Sequence, residues 1–114
     1  MKLDRNVNAD GRGKYGLIKN RRIREIIEEH GIADGTATAA VRNALRTLES
    51  FGIIDWGDAG TPSEFFVIRL RDIHARAALM AYADDAGDDP EYRKDVRDLA
   101  FRSGSESPFC KKPD

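Results

Sequence analysis

The chain has 114 residues, 40% of them hydrophobic and 34% charged, which is enough for one hydrophobic core and too little for two large ones. A single cysteine, Cys110, excludes an internal disulfide framework, and no run approaches the roughly twenty apolar residues of a membrane span. The formal net charge of -1 hides an asymmetry: residues 1–48 carry ten Lys/Arg against six Asp/Glu and residues 49–114 carry nine against fourteen, so only the first half suits a polyanion.

In chain order, MKLDRNVNADGRGK lacks the apolar h-region of a secretory signal, and a cytoplasmic location is the expectation. Residues 1–16 have no sustained apolar period and read as a flexible basic arm, in which Arg12 and Lys14 are candidates for phosphate or minor-groove contact. Asn6, Asn8, Asp10 and Gly11 imitate the start of a calcium loop, but the first ligand should be Asp and the twelfth position falls on Leu17. Gly11-Arg12-Gly13-Lys14 fails as a phosphate loop because its glycines are too close and Tyr15 replaces the magnesium-binding hydroxyl.

Leu17–His30 has the period of a helix, with Ile23, Ile26, Ile27 and His30 on one stripe and Gly31 as its stop. Arg21 with Glu25 and Arg24 with Glu28 are expected i,i+4 pairs. Lys19 and Arg22 lack such a partner and are therefore candidates for phosphate contact. The linker GIADG is short enough to make this helix share a core with the next through Ile26, Ile27, Ile32, Val41 and Leu45. From Thr36 to Phe51 a second amphipathic helix sets Val41, Ala44, Leu45 and Leu48 on its buried stripe and Arg42, Asn43, Arg46 and Thr47 on the others. Thr36 or Thr38 would cap its start and Gly52 would end it. Ile53–Trp56 and Glu64–Arg71 then read as two strands of a hairpin around the Gly/Pro loop 57–63, the second strand apolar at its start and basic at its end.

Helix, glycine-containing turn, helix ending in LESFGII and a hairpin with a glycine-rich tip resemble the winged helix-turn-helix DNA-binding domains over about residues 23–70, most specifically in VRNALRTLESFGII. The resemblance implies a second helix in the major groove, with Thr36, Thr38, Arg42, Asn43 and Arg46 facing DNA, and a wing at residues 58–63 touching the backbone. Two departures stand out: the helix that usually precedes the pair is missing, and Asp58 makes the wing tip acidic. The stretches NADGRGKYGLI, EFFVIRLRD and SPFCKKPD also resemble small uncharacterised phage-encoded proteins, which implies an accessory or host-directed role.

Beyond the hairpin, Asp72 is placed to cap a helix from Ile73 to about Asp85, and its broad apolar surface is expected to be either central to the monomer or the seam of a homodimer. Asp89-Pro90-Glu91 is a strong helix start, followed by the buried stripe Tyr92, Val96, Leu99 and Ala100, with Gly104 at the end. Residues 103–114 read as a tail, although Pro108–Cys110 could tuck back onto the body. The acidic run Asp84, Asp85, Asp88 and Asp89 reads as a solvated connection.

His30, His74 and Cys110 have no spacing that matches a zinc pair or a nucleophile motif, and no cofactor fingerprint follows a strand. The sequence therefore predicts no enzyme, no metal and no cofactor. It predicts an α+β domain over residues 17–102, a winged helix-turn-helix with a β-hairpin wing and two C-terminal helices, that binds duplex DNA as a regulatory or accessory protein. The alternative is a small adaptor or inhibitor that docks on a protein through Trp56, Phe65 and Phe66.

Overall fold

The computed structural model describes residues 1–30 and 36–113. Their regular structure is entirely helical: α1 Asn20–His30, α2 Ala37–Ser50, α3 Ala75–Asp85 and α4 Pro90–Phe101, with 3₁₀ turns at Asp4–Asn6 and Gly104–Glu106. The expected α+β winged helix is thereby corrected, because among the described residues no strand forms and the segment between α2 and α3 contains no hairpin. The chain divides into two compact units, Leu17–Phe66 and a second assembled from Met1–Gly16 with Val67–Asp114.

In the first unit α1 packs against α2. Ile23, Ile26 and Ile27 on α1 and Val41, Leu45 and Leu48 on α2, the stripes the periodicity predicts, are only half-buried. No residue of α1 is buried, and in α2 only Thr38 is. The Gly31 stop, Ile32 and the GIADG turn lie outside the described residues. Thr36 occupies the N-cap position of α2 without a side-chain capping bond. At the other end Gly52, at φ +69°, lets its N–H reach the Glu49 carbonyl and the Ile53 N–H reach the Leu48 carbonyl, both at 3.0 Å. These are the paired bonds of a Schellman stop, so Gly52 ends α2 as its sequence position indicated.

The segment expected as the hairpin tip is bonded within itself. The Asp55 carboxylate accepts from the Gly57 N–H at 2.9 Å and the Glu64 carboxylate from the Gly60 N–H at 3.2 Å. Turn bonds from Thr61 N–H to the Asp58 carbonyl and from Glu64 N–H to the Thr61 carbonyl close the rest. Short polar side chains that bond their own neighbourhood compete with a ladder, and Pro62 could not donate to one.

In the second unit α3 and α4 pack against each other. Ala75 and Ala83 are buried on α3, and Val96, Leu99 and Ala100 on α4, so three of the four stripe residues expected on α4 are fully enclosed. Asp89 caps α4 by accepting from the Tyr92 N–H at 3.1 Å, with Pro90 in the first turn. Asp72 acts one step earlier than expected: it accepts from the His74 N–H at 2.8 Å, an Asx turn that leads into α3.

Both ends of the chain are tied to this unit. The Met1 ammonium bonds Asp89 at 2.9 Å and the Leu3 N–H donates to Asp95 at 2.8 Å, so the segment expected as a free arm is anchored along α4. The residues expected as a tail are strapped to the entry of α3, with Gly104 N–H to the Leu70 carbonyl at 2.8 Å, Lys111 N–H to the Arg71 carbonyl at 3.0 Å and Ile73 N–H to the Lys111 carbonyl at 3.0 Å. Ser103 and Gly104 are buried there.

Candidate interaction surfaces

Of the nine residues expected to meet DNA, Lys19, Arg22, Thr36, Thr38, Arg42, Asn43 and Arg46 belong to the first unit, while Arg12 and Lys14 belong to the second. Within α2, steps of about 100° per residue put positions 42, 43 and 46 on one arc of about 100°. All three side chains are exposed. Among the described residues no carboxylate pairs with Arg42 or Arg46. The Thr47 and Ser50 hydroxyls on the adjoining surface donate back to the Asn43 and Thr47 carbonyls and offer little to a ligand.

Thr38 is corrected as a contact residue: it is 1% exposed. Its position explains this, since it stands three residues before Val41 and seven before Leu45 and so extends the buried stripe. Arg22 is corrected as an unpartnered cation, because it pairs with Glu25 at 3.2 Å and Glu29 at 3.3 Å. Both carboxylates hold the guanidinium above its ordinary pKa, Glu25 most strongly. Arg21 reaches Glu25 at 3.8 Å as expected, whereas Arg24 and Glu28 form no ion pair among the described residues. With the hairpin absent, residues 58–63 form a self-bonded loop rather than a wing.

A second surface is apolar. In the first unit Phe51 is 76% exposed and Phe66 88%, and Ile53 and Phe65 are exposed as well. Trp56 stands at 36%. Phe65 lies over Gly57, where a Cβ would come within 2.2 Å of its ring, so this loop presents its aromatics from a closed turn rather than a loose chain.

Two concavities lie among the described residues of the second unit. One, of about 420 Å³, is lined by Gly87, Pro90, Arg93, Lys94, Arg97, Asp98 and Phe101. Its charge is largely answered within the protein, as Lys94 pairs with Asp98 at 3.1 Å and Arg93 with Asp84 at 3.6 Å. The other, of about 470 Å³, is lined by Arg69, Leu70, Arg71, Arg102, Glu106, Ser107, Pro108 and Phe109. Arg69 and Arg71 were visible in the sequence as the basic end of an expected strand, but nothing there indicated that Arg102 would join them.

Tyr82 and Tyr92 join α3 to α4 by an edge-on ring contact at 6.2 Å and a hydroxyl–hydroxyl hydrogen bond at 3.2 Å. That bond, with partial burial, pushes the Tyr92 phenol up to about 12. Among the described residues no group of His, Cys, Asp and Glu could hold a metal ion, and no helix is long and apolar enough to cross a membrane.

Comparison with protein-family models, with curated proteins and with solved structures returned no match.

Proposed function

We propose that the chain is a small protein-binding module whose partner covers the apolar side chains between Phe51 and Phe66 in the first unit. The exposure of Phe51, Ile53, Phe65 and Phe66 within one unit carries this reading, since exposed apolar side chains gathered in water mark docking surfaces and aromatics are their favoured anchors.

Affinity capture from a cell extract, run in parallel with wild type, Phe65→Ser/Phe66→Ser and Arg42→Ala/Arg46→Ala, tests the proposal. A captured protein should be lost with the aromatic variant and kept with the arginine variant. Retention by both would remove the apolar segment from the interface. A concentration-dependent dimer in sedimentation, abolished by the aromatic variant, would make a second copy of the chain the occupant.

A nucleic-acid reading is favoured by one observation, the exposed arc of Arg42, Asn43 and Arg46, whose arginines have no carboxylate partner among the described residues. Two arginines on phosphates would give log K against log salt a slope of about -2. Weak duplex binding with that slope, lost in Arg42→Ala/Arg46→Ala, would establish this role for α2. Absence of binding at low salt would eliminate it.

A further inference from the structure

We infer that the cavity of about 470 Å³ between the entry of α3 and the C-terminal strap is a nucleotide site, with the phosphate held by Arg69, Arg71 and Arg102 and the base laid on Phe109. Three arginines line one concavity, and among the described residues none has a carboxylate partner. The one acid in the lining, Glu106, is drawn toward Arg76 at 3.9 Å. Like charges gathered without neutralisation repel one another, and a bound oxyanion removes that cost. Guanidinium forks match phosphate oxygens two at a time, which lysines in the same places would not do.

The backbone beneath these side chains is fixed. Leu70, flanked by Arg69 and Arg71, is bonded through its carbonyl to Gly104, two residues beyond Arg102, and the Arg71 carbonyl accepts from Lys111. Gly104 is required at this crossing: its φ is +61° and a Cβ would lie 3.2 Å from the Ile73 carbonyl oxygen. The three arginines are therefore held at a junction of two strapped segments and do not sit on a loose loop. Phe109 supplies what a bare anion site has no use for, a flat ring left 74% exposed on the cavity wall. Aromatic faces stack on nucleobases irrespective of sequence, and the volume falls within the range of small-ligand pockets.

The test is titration of the full chain with adenosine 5'-monophosphate, inorganic phosphate and a short single-stranded oligonucleotide, followed by calorimetry and by the arginine Nε–H resonances. The nucleotide should bind with a Kd of about 0.1–1 mM, tighter than inorganic phosphate, and should shift the resonances of all three arginines. Arg69→Ala and Arg102→Ala should each weaken it about tenfold or more, Arg102→Lys by less, and Phe109→Ala should erase the advantage over inorganic phosphate. Stronger binding by the oligonucleotide than by the mononucleotide would identify chain-linked nucleotides as the source, and the reverse a free one. No response to the nucleotide at about 10 mM, unmoved arginine resonances in the wild type, or equal affinity for nucleotide and inorganic phosphate would each overturn the assignment. The resonance measurement decides the matter even if a variant fails to fold.

Discussion

Asp4, Asp89 and Asp95 show how single carboxylates hold the N-terminal segment in place. Each is depressed below the usual carboxylate range by what it accepts: Asp4 from the Lys14 N–H, Asp89 from the Met1 ammonium and then the Tyr92 N–H, and Asp95 from the Leu3 N–H. A carboxylate with a lowered folded pKa contributes stability that is complete above its unfolded value, about 4, and is lost as pH falls through the folded one. The Met1 ammonium is raised, chiefly by Asp89, so its contribution is complete below about 8 and is lost as pH rises through the raised value. The Leu3 methyl resonances should therefore report an anchored segment between these limits and a released one on both sides. A segment equally anchored at pH 3 would remove these carboxylates from the account. Glycines give a second prediction at this scale. Gly57→Ala meets both a φ of +61° and the Phe65 ring, whereas Gly60→Ala meets φ +80° with open space around it. Gly60→Ala should cost about 1 kcal/mol, and Gly57→Ala more, with Phe65 displaced and its solvent quenching increased.

Helix by helix, burial sets what a truncation costs. Leu99 is almost fully enclosed between α3 and α4, while Leu45 on α2 is half-buried. Leu99→Ala should lower unfolding stability by about 2–4 kcal/mol, and Leu45→Ala by about 1 kcal/mol, as read from denaturant midpoints. Equal costs would mean that α2 is enclosed in solution by something outside the monomer. The helices were readable because their signals are local: Asp89-Pro90-Glu91 starts α4, Gly52 stops α2, and the stripe Val96, Leu99, Ala100 repeats at the helical period. Phe65 to Leu70 carries strand propensity just as openly, but a strand exists only if a second segment offers its backbone. That partner, Ile53–Trp56, leads into a loop whose amides are consumed by Asp55 and Glu64. The same limit hid the arginine-lined cavity, because the register that brings Arg102 beside Arg69 and Arg71 is set by bonds between positions 70, 104 and 111 that no local pattern announces.

For the whole molecule, the two units differ in how they are cut from the sequence. Leu17–Phe66 is continuous, whereas the other unit needs Met1–Gly16 and Val67–Asp114 together. Heating should separate them if their stabilities are independent: the unit with enclosed α3 and α4 should outlast the unit in which, among the described residues, only Thr38 is buried, giving two calorimetric transitions. A single transition with matching calorimetric and van't Hoff enthalpies would show that they melt as one. The discontinuous unit also has a consequence during synthesis. Met1 is made 88 positions before its partner Asp89, and the strap residue Lys111 follows later still. At about 5–20 residues per second, the ribosome takes about 2–10 s to add the stretch from Val67 to Asp114. Until α4 is made, the segment Met1–Gly16 has nothing to dock on, and the α1–α2 pair emerges with its isoleucines half-covered. The newborn chain is thus open to chaperones and proteases for seconds, and a stalled ribosome would lengthen that exposure in proportion.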